Sequence, residues 1–185
     1  MIILASKSPR RKELMEKHFP FSFIIIPSDV EEITDIDLSP IENTINIAKA
    51  KGEDIFKDHL DDIVISCDTI VTLNNKIFGK PKNKEDALAI LEELSNQTHE
   101  VISAYWIFSK KKIISNYVVS KVTFNKLNKE DILSYIELGT CYDKAGSYAI
   151  QDPVSSKFIK SYSGSLNNII GFPVEEIKKD LEGLI

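Results

Sequence analysis

The sequence predicts an α/β fold: a mixed β-sheet flanked by helices. Short β-like runs alternate with helical patterns from one end to the other. Two long strand-like segments, 98–109 and 113–125, are separated only by the basic turn Lys110-Lys111-Lys112, the pattern of an antiparallel hairpin, so the sheet is not wholly parallel. No repeat, low-complexity segment or linker composition divides the chain, and residues 1–185 read as a single α/β domain.

The elements follow in order. Residues 1–5 form an apolar strand. Ser8 as cap and Pro9 at the first position open a helix over 9–18, with Leu14, Met15 and His18 facing inward. A second strand is expected over 21–27, then the acidic loop "SDVEEITDIDLS". Pro40 opens a helix with Ile41, Thr44, Ile45, Ile47 and Ala48 on its inner face, ending near Gly52 or Phe56. Residues 62–73 are a buried strand rich in Ile and Val that turns at "NNK", Asn74 to Lys76. Beyond "FGKP" comes a strongly patterned helix over 84–95, with Ala87, Leu88, Ile90, Leu91 and Leu94 inward. After the hairpin follow a helix over 129–138, a Gly-rich irregular stretch to Gly171, and a final helix over 174–184.

Composition excludes several classes. With 43% hydrophobic and 28% charged residues, the chain is that of an ordinary soluble globular protein. Lys plus Arg total 23 against 28 Asp plus Glu, a formal charge of -5, so nothing draws the whole molecule to nucleic acid or an anionic membrane, and any anion site is local. The longest apolar runs are too short to span a bilayer, and the start lacks the basic and apolar regions of a secretory peptide. Cys67 and Cys141 have no metal-ligand spacing, and His18, His59 and His99 add none; a cytoplasmic protein with reduced thiols is the simplest expectation, with Cys67 a small core residue.

Four stretches could carry chemistry. In "ASKSPRRKEL", Arg10, Arg11 and Lys12 crowd the first turn of a helix, at the positive end of its dipole, with no acid preceding them. Either they are solvated, or they await an anion that the free N–H groups and guanidinium forks would hold. In "SCDTIVTL", Asp68 interrupts an apolar strand, where an ionised carboxylate needs a partner, a metal or a strand-end exposure. It is the foremost catalytic candidate, and the alternative is a structural cap for backbone N–H groups. "FGKPKNKEDA" offers Gly79 for close approach, Lys80 as a point charge and Pro81 to stiffen the turn, yet it is no Walker A sequence. In "DKAGSYAIQD", Gln151 could present an amide to a base or ribose, or the segment could be a plain turn into an edge strand. The pair Glu31-Glu32 becomes a metal candidate only if it converges with Asp68.

Taken in order, "LASKSPRRKELM", "CDTIV", "GKPKNKEDALAILEELS", "HEVISA", "DKAGSYAIQ" and "NNIIGFPV" resemble the Maf family of nucleoside triphosphate pyrophosphatases over nearly the whole chain. The resemblance implies an elongated mixed sheet with helices around it and two lobes about a nucleotide cleft, akin to inosine-triphosphate pyrophosphatases. It also implies hydrolysis of a nucleoside triphosphate to monophosphate and pyrophosphate with a divalent cation, Mg²⁺ or Mn²⁺. Carried over by position, Ser6, Arg10, Arg11, Lys51 and Lys80 match phosphate-contacting residues. Glu32 and Asp68 match the metal-binding pair, with Asp68 the proton acceptor. Arg11, Thr69 and Gln151 match positions that separate the branches; this Thr with this Gln resembles the branch acting on dTTP, UTP and modified pyrimidine nucleotides rather than the one preferring 7-methyl-GTP. Gly52 stands after Lys51 where Ala is common, and Phe172 replaces Leu in "GLP".

Two rivals of other classes accompany this reading. A nucleotide-sensing regulator of cell division without turnover would have no need of the base Asp68. An RNA-binding domain fits poorly with the net charge and with the lack of interleaved aromatic and basic residues. The expected partner is a nucleotide substrate, with neither nucleic acid nor membrane, and a homodimer is compatible with the sequence.

Overall fold

Four helices begin where a Ser or Asn side chain accepts an N–H group that a helix start leaves over. Ser8 does so for Arg11 at the head of α1 (Pro9–His18), and Ser39 with Glu42 closes a capping box on α2 (Pro40–Phe56). Asn83 caps α3 (Lys84–Leu94) and Asn128 caps α4 (Lys129–Glu137). Two more follow, α5 (Leu166–Ile170) and α6 (Val174–Glu182). The computed structural model describes residues 1–184. Among them no helix is long and apolar enough to cross a membrane.

The strands are β1 (Ile2–Leu4), β2 (Ile24–Ile25), β3 (Ile63–Leu73), β4 (Lys76–Phe78), β5 (Thr98–Phe108), β6 (Ile113–Phe124) and β7 (Ile159–Ser163). They make one seven-stranded sheet in the order β2-β1-β3-β5-β6-β7, with β4 on β3. β1 is parallel to β2 and β3, whereas β4 on β3 and β7 on β6 are antiparallel, so the sheet is mixed as expected. Asn74 and Asn75 turn β3 into β4 with positive φ at both positions, as a two-residue hairpin requires.

Two expectations change. The strand over 21–27 shrinks to Ile24–Ile25, because only these residues find a register on β1. The stretch expected to be irregular holds β7 and α5; β7 lies on the outer edge with mostly exposed side chains, so its sequence lacks the apolar alternation that would announce it.

The chain divides into two compact units, and the division falls inside β3, β5 and β6: Met1–Thr69, Ser103–Val118 and the chain from Gly171 on form one, Ile70–Ile102 and Val119–Ile170 the other. In the first unit the chain runs β1-α1-β2, steps back past β1, and returns through α2 to β3. Right-handed crossovers in opposite directions put α1 and α2 on opposite faces. The α2 face packs closely: Ser66 Oγ donates to Ala48 O at 2.7 Å. A Cβ on Gly52 would sit 2.2 Å from the Phe108 ring and 2.6 Å from Ser66 Oγ. Gly52 is therefore what lets helix and sheet close here, and Ile3, Ile55, Val64 and Phe108 fill the contact.

The second unit has its own core of Leu91, Leu94, Phe124, Tyr135 and Phe158 with their neighbours. His99, fully buried, meets Tyr148 Oη through Nε2 at 2.7 Å. Burial drives its pKa down to about 4 and pushes the Tyr148 phenol up. Gly146, at φ +70°, donates its N–H to Gly79 O at 3.1 Å, joining the "GKP" loop to the "DKAGS" loop.

Candidate active site

The first unit begins with the strand order β2-β1-β3. A chain that leaves β1 toward one side and returns to the other creates a switch point between β1 and β3, and open α/β sheets bind ligands at the carboxyl ends of such strands. β1 stops at Leu4, opposite Ile65, and Ala5 N–H makes the last rung to Ile65 O at 2.8 Å. Ser6 follows at once on one strand, and Asp68 and Thr69 lie just beyond on the other. The sequence candidates thus gather where the topology calls for a ligand.

They gather as two clusters, because successive strand residues point to opposite faces. Asp68 turns to the α2 side. There Lys51 Nζ lies 2.8 Å from Asp68 Oδ1 and 2.7 Å from Glu32 Oε1, so one ammonium bridges two carboxylates. The side chains of Lys51 and Asp68 are 13% and 8% exposed, against 49% for Glu32, which leaves the acidic loop's end of the bridge open to water. The carboxylate that interrupts the apolar strand is therefore charge-paired, as its burial demands. It is Glu32, rather than Glu31, that the loop brings to Lys51.

Thr69 turns to the other face with Cys67. The Arg11 guanidinium donates from Nε to Gly171 O at 2.9 Å, from Nη1 to Ser6 Oγ at 3.1 Å and from Nη2 to Thr69 Oγ1 at 3.1 Å. Thr69 Oγ1 lies 2.8 Å from Ser103 Oγ, and Cys67 Sγ lies 3.7 Å from Gly171 O. Burial pushes the Cys67 thiol up, which fits a core residue rather than a nucleophile. Lys12 pairs with Glu16 one turn along α1, at 3.7 Å. Of the first-turn cations, Arg11 thus meets uncharged acceptors and Lys12 a carboxylate.

Ser6, Arg11 and Thr69 come together in one cluster, Glu32, Lys51 and Asp68 in the other. Arg10 stands beside Arg11 in the first turn of α1, half-buried. Lys80 and Gln151 belong to the second unit, where both are exposed, Lys80 directly after the Gly79 carbonyl that holds Gly146. Sequence reasoning passed over Ser103 and the Gly171 carbonyl. "HEVISA" and "NNIIGFPV" were legible as motifs, but nothing in the residue types says that a strand serine and a backbone oxygen would meet Arg11.

The donor chemistry can be tested against a divalent cation. Two carboxylates sharing one ammonium are hard oxygen donors held at one place, and among the described residues no group of three or more His, Cys, Asp and Glu side chains forms a closed cage. That set fits Mg²⁺ or Mn²⁺, which bind through one or two carboxylates and take their remaining ligands from phosphate and water.

Comparison with known proteins bears on family and fold. The chain is 42% identical to a dTTP/UTP pyrophosphatase of Akkermansia muciniphila over 99% of its length and 96% of the relative's. It is likewise 42% identical to one of Pyrococcus furiosus over 98% and 94%. A HAM1 protein structure from Coxiella burnetii superposes with a TM-score of 0.54 at 17% identity, covering 98% of both chains, which speaks for the fold alone. The family model described as Maf-like protein matches residues 1–184, and the chain belongs to that family.

Proposed function

We propose that this protein is a nucleoside triphosphate pyrophosphatase that converts dTTP and UTP to the monophosphate and pyrophosphate. The observation that carries the reading is the buried Asp68 carboxylate, joined to Glu32 through Lys51 just beyond the carboxyl end of β1 and midway along β3. Relatives named dTTP/UTP pyrophosphatase support it.

In this reading Asp68 Oδ takes a proton from the attacking water. The water oxygen bonds to the α-phosphorus as the bond to the bridging oxygen breaks, and pyrophosphate leaves. Glu32 and Asp68 would hold Mg²⁺ or Mn²⁺, which when bound neutralises phosphate charge and polarises the phosphoryl group. Lys51, which pairs with both carboxylates, would be placed to meet phosphate oxygens beside them. Ser6 and Arg10 meet phosphate oxygens from the β1 end. Arg11 and Thr69 set the base preference. Modified pyrimidine nucleotides belong to the same substrate class.

Pyrophosphate release from a panel of triphosphates with Mg²⁺ tests the proposal. dTTP and UTP are expected to turn over, and 7-methyl-GTP and purine triphosphates to lag well behind. Binding of dTTP with no pyrophosphate released would overturn the assignment in favour of a sensor, and a preference for 7-methyl-GTP would move the protein to the other branch.

A further inference from the structure

Among the described residues, the groups that hold Arg11 by hydrogen bonds are neutral: a carbonyl and two hydroxyls. A guanidinium has five N–H donors, of which three are engaged, so two remain and its charge is uncompensated by these contacts. A carboxylate in the same place would have held the side chain and quenched it. Neutral acceptors hold it and leave the charge for a ligand.

Thr69 Oγ1 accepts from Arg11 Nη2 and has one proton, with two protein acceptors in reach: Gly171 O at 3.2 Å and Ser103 Oγ at 2.8 Å, where either hydroxyl can be the donor. Whichever of the two takes the proton, this hydroxyl has no donor left for a nucleotide. Gly171 is the hub on the backbone side: its carbonyl accepts from Arg11 and lies in reach of Thr69, and its φ of +122° is one that side chains rarely adopt.

We infer that Ser103 and the Gly171 carbonyl are positioning groups for Arg11. They act through Thr69, which orients the guanidinium and does not itself touch the substrate. Arg11 and Thr69 would then be one device, with Arg11 its contact and Thr69, Ser103 and Gly171 its mount. This rests on the pyrophosphatase reading above, and it gives a role to the "HEVISA" and "GFPV" motifs that the reaction itself leaves unused.

The test uses the full chain, whose only two arginines are Arg10 and Arg11, so that ¹⁵N-arginine labelling yields two side-chain Nε–H signals and Arg11→Lys assigns them. In the wild type the Arg11 Nε–H is expected to exchange slowly with water. Ser103→Ala should speed that exchange and lower kcat/KM for dTTP about tenfold, the size of one buried hydrogen bond. Ser103→Thr, which keeps the hydroxyl, should restore both. In an Arg11→Lys background, Ser103→Ala should lower kcat/KM by less than about twofold, because the group it positions is gone. A merely structural serine would give the full loss in both backgrounds, and that result overturns the inference. So does an Arg11 signal indifferent to Ser103→Ala. Should the wild type hydrolyse no nucleotide, the proposed function falls, and the Arg11 signal alone decides for or against the mount.

Discussion

Asp68 shows what a single residue can and cannot announce. An acid inside "SCDTIVTL" predicts a partner, because an ionised carboxylate on an apolar strand is costly alone, but the sequence does not name that partner. Lys51, seventeen residues earlier on α2, is the answer, at 2.8 Å. Asp68→Asn keeps the shape and removes both the proton acceptor and a carboxylate charge. Turnover of dTTP should fall at least about a hundredfold with the fold intact by circular dichroism, the range for loss of a general base. Turnover within a few-fold of wild type would assign Asp68 a structural role. Arg11 carries the opposite lesson: three adjacent cations suggest an anion, yet in the free protein the middle one is occupied by Ser6, Thr69 and Gly171 O, and only the folded chain brings these to it.

At the scale of elements, legibility followed locality. The start of α1 was readable because a cap is a contact between residues three apart, Ser8 to Arg11. Strand ends were less so, since pairing rather than propensity decides them; β2 lost most of its expected length and β7 was missed. Gly52 is the sharpest case. In the sequence it is a poor helix residue inside a helical pattern. In the structure it is the point where α2 meets Phe108 and Ser66. Gly52→Ala should therefore destabilise the protein by about 2 kcal/mol through overpacking, despite the better helix propensity of Ala, and urea unfolding would measure it. An unchanged or higher midpoint would mean that the Phe108 ring yields at little cost.

For the whole molecule, one buried group makes a pH-dependent contribution to stability. His99 is buried and neutral, with a folded pKa of about 4 against 6.5 for a free imidazole. The unfolded chain therefore takes up a proton more readily below 6.5. The stability contributed by neutral His99 is complete above pH 6.5 and is lost as pH falls toward 4, by about 3 kcal/mol in all. His99→Gln can still bond Tyr148 but does not titrate, so the difference between the two proteins' urea midpoints should narrow across that window. Parallel curves for wild type and variant would remove His99 as the cause.

The sequence by itself determined the fold class, the hairpin, the helix starts and the identity of the charged side chains, because each of these rests on periodicity or on contacts between near neighbours. It also carried six motifs in an order that names the family. The tertiary structure alone decided which charges meet: that Glu32 rather than Glu31 joins Lys51, that Asp68 and Thr69 serve opposite faces of one strand, and that a serine and a glycine carbonyl hold Arg11. Those contacts span tens of residues and more than a hundred and fifty in one case. Only strand register and crossover direction bring such positions together, and neither is written in any short stretch of chain.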